Sequence, residues 1–532
     1  MSKASDVPLW LRRALRSARR AGGRGGDWLR GRITPLFRRV SARVARWSRR
    51  RVRDWRALPP SRRQLWRLTT SSSVLGLLTA LVLVLATGPW DAGQRTAERR
   101  WAARWGAGSG EKHTDPDVPM APRVLAELGD RSGAGEGDDN APPPDGDSVA
   151  EALRPALKAL DDEGGAKRHT AAVVDVASGK RLYAKRPDTM LAPASTVKVA
   201  TALAALSARG AQHRLATRVV SADEGRTLTL VGGGDPTVTD RQWDALARRA
   251  ADRGAGKVRL RYDTSLYRGP ERHPIGLNDN IAPVTPLMVN EGRQDDSEHG
   301  PAPRAEDPAK EAAEKFAERL EKHGAKVEGE PRDKPAPAKA RTLATHHSAP
   351  LSELVERMLT HSDNDIAEAL ARQTALARGE KASFKGASKA ARAQLSALQL
   401  PLEKARFADG SGLSRDDRLS AGLLTRLLAR AADPRHPELR SVLTGLPVAG
   451  FTGTLGKRYD GQPGRGLVRA KTGTLTGVNT LAGVVVDDDG RLLTFAFMAE
   501  DTRDAQAAQS ALDRSASALA GCGCREGGGS TD

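Results

Sequence analysis

The stretch Pro193-Ala194-Ser195-Thr196-Val197-Lys198-Val199-Ala200-Thr201 sets a serine three residues ahead of a lysine. Val197, Ala200, Leu203, Ala204 and Leu206 recur at helical spacing until Gly210, so the segment reads as a helix with Ser195 at its N-terminus. Lys198 then lies one turn in, on the same face. The spacing alone decides nothing, because Ser109-Gly110-Glu111-Lys112 repeats it in a glycine-rich acidic stretch without helical pattern. A capping serine and a nucleophile with its base are both open at this point.

Two further short motifs follow in order, Ser362-Asp363-Asn364 and Lys471-Thr472-Gly473. Alone, the first would be a turn and the second a strand edge. With Ser195-x-x-Lys198 ahead of them, in matching secondary-structure contexts, the three form the signature of penicillin-binding proteins and serine β-lactamases. The chemistry accounts for the spacing. A serine hydroxyl is a poor nucleophile until a neighbouring base takes its proton. The Lys198 amine can do so when neutral, and burial near a second cation, Lys471, disfavours its ammonium form. Backbone N–H groups at a helix N-terminus face developing negative charge. The Ser195 and Thr474 N–H groups would make an oxyanion hole. Ser362 would relay a proton to the leaving amine, and Asn364 would hold the substrate amide. Lys471 and Thr472 would bind a terminal carboxylate, which fits peptides with a free C-terminus and the carboxylate of penicillin.

A glutamate that hydrolyses the acyl-enzyme through water would sit in a Glu-x-x-Leu-Asn-like loop between the second and third motifs. Nothing there matches; Glu403 is followed by Lys404-Ala405-Arg406-Phe407. The interval from Ser195 to Ser362 is also too long for a compact single-unit β-lactamase. Both points argue against efficient antibiotic hydrolysis.

Longer stretches carry a more specific resemblance. PASTVKVATALAAL (Pro193–Leu206), LVGGGDPT (Leu230–Thr237), APVTPLMVNEG (Ala282–Gly292), HSDNDIAEAL (His361–Leu370), DGSGLSRDDRLS (Asp409–Ser420), GTLGKR (Gly453–Arg458) and VRAKTGTLTGVNTLAG (Val468–Gly483) resemble one family. It is the D-alanyl-D-alanine carboxypeptidase/endopeptidase family of low-molecular-mass penicillin-binding proteins, the class C, penicillin-binding-protein-4-like group of serine peptidases. The likeness runs over roughly residues 150–520. It implies an α/β (α+β) transpeptidase-like fold, an antiparallel sheet flanked by helices, with a smaller domain inserted between the first two motifs. It also implies cleavage of terminal D-Ala–D-Ala bonds, and often of D-Ala–meso-diaminopimelate cross-links, in peptidoglycan. Asp417 stands where the family's Ser-Arg-x-Asn-Arg pattern carries asparagine. The expectation is therefore a cofactor-free serine peptidase that β-lactams acylate. Its rivals are a β-lactamase or esterase of the same fold and a non-catalytic cell-wall scaffold.

Charge sorts the rest of the 532 residues, whose formal net charge is +20. Residues 1–68 hold 21 Lys and Arg against Asp6, Asp27 and Asp54, while the remainder holds 64 basic and 62 acidic residues. A nearly neutral body excludes a polyanion-binding catalytic domain, so no nucleic-acid partner is expected. The apolar run Val74–Ala86 follows the arginines, and a one-sided basic flank is the positive-inside pattern. The arm, with Trp10, Trp28, Trp47, Trp55 and Trp66, is read as cytoplasmic and residues 69–90 as a single-pass signal-anchor, with secretion after cleavage as the alternative. Residues 91–148, rich in Gly, Asp and Pro, read as a solvated linker. A split catalytic domain is expected over 149–210 and 346–520, an insert over 211–345 and a flexible tail over 521–532. Cys522 and Cys524 are too close to staple a fold. His346, His347 and His361 lack partners at metal spacing, and Asp409 and Ser411 read as shaping a loop beside the cleft. Arg415 and Arg418 read as solvated, with a substrate carboxylate as their alternative contact.

Overall fold

The computed structural model describes residues 145–254 and 256–522. The basic arm, the anchor segment 69–90, almost all of the linker and most of the tail lie outside them. Among the described residues no helix is long and apolar enough to cross a membrane.

Helix α1 (Gly146–Asp162) leads into a hairpin of β1 (Arg168–Asp175) and β2 (Arg181–Lys185). The helix starts inside the stretch read as linker. Val149, Leu153, Leu157 and Leu160 recur at helical spacing and are buried, which ties the helix to the fold while Asp147 and Ser148 in its first turn stay exposed. A single 3-10 turn, Ala194–Val197, then opens α2 (Lys198–Arg209).

The chain next builds a second unit from β3 (Arg214–Ser221), β4 (Thr227–Val231), α3 (Asp240–Ala251), β5 (Lys257–Asp263), α4 (Pro308–Lys322), β6 (Lys326–Val327), β7 (Arg332–Asp333) and β8 (Arg341–Pro350). It returns through α5 (Leu351–His361), α6 (Asn364–Ala377), α7 (Phe384–Ala397) and α8 (Ala421–Ala432). It closes with β9 (Arg469–Leu475), β10 (Val478–Val486), β11 (Leu492–Glu500) and α9 (Ala505–Ala520). Asp504 caps α9, its carboxylate accepting the Gln506 and Ala507 N–H groups. Ser420 likewise caps α8, its hydroxyl accepting the Leu423 N–H.

The first sheet runs β2-β1-β11-β10-β9 and is antiparallel throughout. Both of its faces are covered, so the central strands β10 and β11 are buried almost end to end rather than on alternate residues. Phe495 and Phe497 pack toward α1 and α9. Ala496, Met498 and Ala482, on the opposite face, meet α2, α5, α6 and α8. The second sheet is mixed, in the order β6-β5-β4-β3-β8 with β7 beside β5. Its own core centres on Trp243, whose ring meets Phe316 edge-on at 5.4 Å and whose indole N–H donates to the Ala312 carbonyl at 2.9 Å. β8 carries the chain from this unit into α5 without interruption and ends at Pro350.

Candidate active site

Ser195 sits in the 3-10 turn, half-buried, and the turn is held from three sides. The Ala192 N–H donates to Glu500 Oε1 at 2.6 Å, and the Thr480 hydroxyl donates to the Pro193 carbonyl at 2.8 Å. Ala194 has φ 46°, a left-handed conformation that a non-glycine residue adopts at a cost of about 1–3 kcal/mol. Gly473 on β9 explains how the strand comes so near: a Cβ there would lie 2.2 Å from Thr480 Oγ1 and 2.7 Å from the Pro193 carbonyl oxygen. Gly412 (φ 83°) does the same from the other side, its virtual Cβ 2.0 Å from the Ala194 carbonyl oxygen.

Lys198 is the first residue of α2 and fully buried. Its Nζ lies 3.0 Å from Ser195 Oγ, 2.7 Å from Asn364 Oδ1 and 2.5 Å from the Ser411 carbonyl oxygen. Burial pulls its pKa down to about 8, against nearby carboxylate charge, that of Asp409 foremost, which favours the ammonium form. The expectation that Lys471 depresses it gives way to burial as the leading cause. Lys471 is itself fully buried, and its pKa is driven well down by burial, then by the charges of Lys198 and Arg458. The Lys471 amine donates to the Thr472 carbonyl at 2.8 Å, and the Thr472 hydroxyl to Thr454 Oγ1 at 2.9 Å. Thr474 is exposed on β9, an edge strand.

The second motif is a corner between helices. Ser362 ends α5 in the left-handed region (φ 60°, ψ 38°), Asp363 caps α6 by accepting the Ile366 N–H, and Asn364 is the first residue of α6. Three residues thus turn the chain and bring the Asn364 side chain to Lys198. The Asn364 amide bridges units: Oδ1 takes Lys198, and Nδ2 donates to the Asn280 carbonyl at 2.9 Å.

The structure brings Ser195, Lys198 and Asn364 into direct contact and sets Lys471, Thr472 and Gly473 on the strand beside them. Three contributors went unrecognised in the sequence: the Ser411 carbonyl, His273 and Asn280. A backbone carbonyl has no signature, and no motif marks the other two. Asp409 shapes a loop as expected, accepting the Ser411, Gly412 and Ser414 N–H groups and His273 Nε2. Arg415 donates to the Thr476 carbonyl at 2.8 Å, beside β9. Two groups, His273/Glu368/Asp409 and Glu291/Asp363/Asp365, each bring three ligand-type atoms within 4.8 Å. Their carboxylates already meet protein donors, such as Arg293 on Glu291 at 2.9 Å and Arg304 on Asp365 at 3.2 Å.

Asp417 shows what the asparagine of the family pattern does. Its Oδ1 accepts the Ala408 N–H at 2.6 Å, while Oδ2 is buried without a donor, facing Asp409. Burial, then the charge of Asp409, raises the Asp417 pKa well above 3.8. Burial acts upward on Asp409 too, but hydrogen bonds from His273, Asp417 and Gly412 outweigh it and hold that carboxyl at about 2. The consistent state is a neutral Asp417 that donates to an ionised Asp409, as an asparagine amide would.

A mixed fold with an antiparallel sheet, a serine and a buried lysine on one turn, and the two later motifs on a helix corner and an edge strand define a penicillin-binding-protein type of chain. The sequence profile of the D-Ala-D-Ala carboxypeptidase 3 (S13) family matches residues 155–298 and 294–519, and the chain belongs to that family. It is 36% identical over 437 residues to carboxypeptidase DacB of Mycolicibacterium smegmatis, covering 78% of this chain and 92% of that one. A carboxypeptidase of Mycobacterium tuberculosis is 35% identical over 409 residues, 73% of this chain and 86% of the other. The fold matches penicillin binding protein 4 of Haemophilus influenzae with a TM-score of 0.59 at 22% identity, over 68% of this chain and 97% of that chain.

The Asp417 assignment is testable. A carboxyl whose pKa is raised by folding weakens the fold increasingly as pH climbs above its unfolded value near 3.8. Asp417→Asn supplies the donor without the proton. Relative to wild type it is expected to gain roughly 1–3 kcal/mol of stability between pH 5 and pH 8. Urea denaturation at the two pH values reads the difference; a gain that does not grow with pH would refute a neutral Asp417.

Proposed function

We propose that the protein is a serine D-Ala-D-Ala carboxypeptidase, acting through a Ser195 acyl-enzyme on peptidoglycan peptides, with cleavage of D-Ala cross-links as a second outlet of the same chemistry. The observation that carries this reading is the 3.0 Å contact between the Lys198 amine and Ser195 Oγ in a site where the amine is buried. A neutral amine has two N–H bonds and one lone pair. The Asn364 and Ser411 oxygens take the N–H bonds, which aims the lone pair at the Ser195 hydroxyl.

In this mechanism Lys198 accepts the hydroxyl proton while Ser195 Oγ attacks the carbonyl carbon of the penultimate D-Ala. The oxyanion forms against the Ser195 and Thr474 N–H groups. When the tetrahedral species collapses the C–N bond breaks, and the proton held at Lys198 passes, with Ser362 as relay, to the departing D-Ala amine. Water then attacks the ester, delivering its proton to the Lys198 network, and frees Ser195. Asn364 holds the substrate amide. Lys471 and Thr472 receive the terminal carboxylate, whose charge restores the ammonium form that burial disfavours in Lys471. A β-lactam enters the same steps, but its leaving amine stays tethered. No run of Glu-x-x-Leu-Asn occurs between Asn364 and Lys471 to hasten deacylation, which favours the peptidase over the β-lactamase reading.

We also propose that residues 1–68 lie on the cytoplasmic side and that 69–90 anchor the catalytic body outside the membrane, on the arginine asymmetry around Val74–Ala86. Mass spectrometry of the detergent-extracted protein is expected to recover peptides from the arm; a mature chain beginning near Pro89 would contradict the anchor.

The enzymatic reading is tested with a peptide ending in D-Ala-D-Ala. Wild type is expected to release D-Ala, at a rate that rises as pH passes through about 8 because only the neutral Lys198 accepts a proton. Ser195→Ala is expected to lose at least about a thousandfold. Release undiminished in that variant would place the chemistry elsewhere, and no release from wild type would leave a scaffold.

A further inference from the structure

The loop between β5 and α4 belongs to the inserted unit, yet two of its residues end at the acceptors that hold Lys198. His273 is buried with no exposed side-chain surface. Its Nδ1 accepts the Ile275 N–H at 3.3 Å, so the ring proton sits on Nε2 and is donated to Asp409 Oδ2 at 2.8 Å. Asp409 in turn takes the N–H groups of Ser411 (3.1 Å), Gly412 (2.6 Å) and Ser414 (2.7 Å). Glu368 Oε1 takes those of Gly410 and Ser411, both at 2.9 Å. These bonds fix the peptide plane whose Ser411 carbonyl meets Lys198 at 2.5 Å. On the other side, the Asn280 carbonyl accepts Asn364 Nδ2 at 2.9 Å. That bond decides which way the amide faces: with Nδ2 donating to a carbonyl, Oδ1 is left to accept the Lys198 N–H.

The loop is itself tied down at the far end. The Ala282 N–H donates to Asp365 Oδ1 at 2.9 Å, and Asp365 pairs with Arg304 at 3.2 Å, both groups buried. The Val284 N–H donates to the Glu271 carbonyl at 2.8 Å, and Phe384 meets the His273 ring edge-on at 5.4 Å.

We infer that this loop of the insert orients the catalytic base, with His273 and Asn280 as positioning residues that act through Asp409–Ser411 and through Asn364. The inference rests on Lys198 being the base. If either acceptor moves, the amine can rotate an N–H toward Ser195 Oγ and turn its lone pair away. At His273, which reaches Lys198 only through Asp409 and the Ser411 peptide, an error of that kind costs rate rather than substrate affinity.

The test is the acylation of the full-length protein by fluorescent penicillin over a concentration series, for wild type, Ser195→Ala, His273→Leu and His273→Gln. The series separates affinity before reaction from the limiting rate constant, which is counted per labelled site so that partly folded material does not enter. His273→Leu is expected to lower the limiting constant about tenfold to a hundredfold, with affinity within about twofold of wild type. His273→Gln keeps a donor toward Asp409 and is expected to recover most of the loss. Should His273→Leu yield no folded protein, His273→Asn takes its place, since its shorter amide falls short of Asp409, and it is expected to be slow. A wild-type constant in the Leu or Asn variant overturns the inference, as does a Gln variant no faster than either. Labelling that persists in Ser195→Ala overturns the reading of the site itself. Loss of labelling there, beside unimpaired His273 variants, sinks only the role of the insert.

Discussion

An amine kept out of water three residues from a hydroxyl is the constraint around which this molecule is arranged. Transferring a lysine to the interior is unfavourable for its charged form, and here that penalty exceeds the help of four surrounding carboxyl groups. The product is an amine whose neutral form becomes available near pH 8. It becomes useful because its two N–H bonds are spoken for by oxygens that come from different elements, the Asn364 side chain and the Ser411 carbonyl. The remaining direction leads to Ser195.

Holding those atoms together demands unusually close backbone approaches, and the sequence meets the demand with small residues and strained ones. Gly473 and Gly412 let β9 and the 409–414 loop press against the Ser195 turn from two sides. Ala194, just ahead of Ser195, and Ser362 hold left-handed conformations. Such strain persists only where the surroundings over-determine it. Here they do so through Glu500, Thr480 and the helix corner at Asp363. The cost is spread over two packed cores and a third in the insert.

Much of this was legible in the sequence. The periodicity after Ser195 and the order of the three motifs located the catalytic strand and helices closely. The start of α2 was harder, because a 3-10 turn and an α-helix share their apolar spacing over four residues. The insert's α3 was legible and went unread: Trp243, Leu246, Ala247 and Ala250 fall at helical spacing behind a Thr239–Gln242 capping box. At the site, side chains that bear chemistry were visible and the groups that aim them were not. Ser411 acts through a carbonyl, Asn280 likewise, and the His273–Asp409 pair joins positions far apart in the chain. Asp417 was visible only as a departure from a pattern; its meaning required the buried carboxyl beside it.

The account stands or falls on which atom becomes acylated. Protein treated with penicillin, digested with trypsin and mapped by mass spectrometry gives that atom directly. The adduct is expected on the peptide that ends at Lys198 and at Ser195 within it, at one penicillin per chain. An adduct on any other serine, or on Lys198 itself, would contradict the nucleophile and the base together.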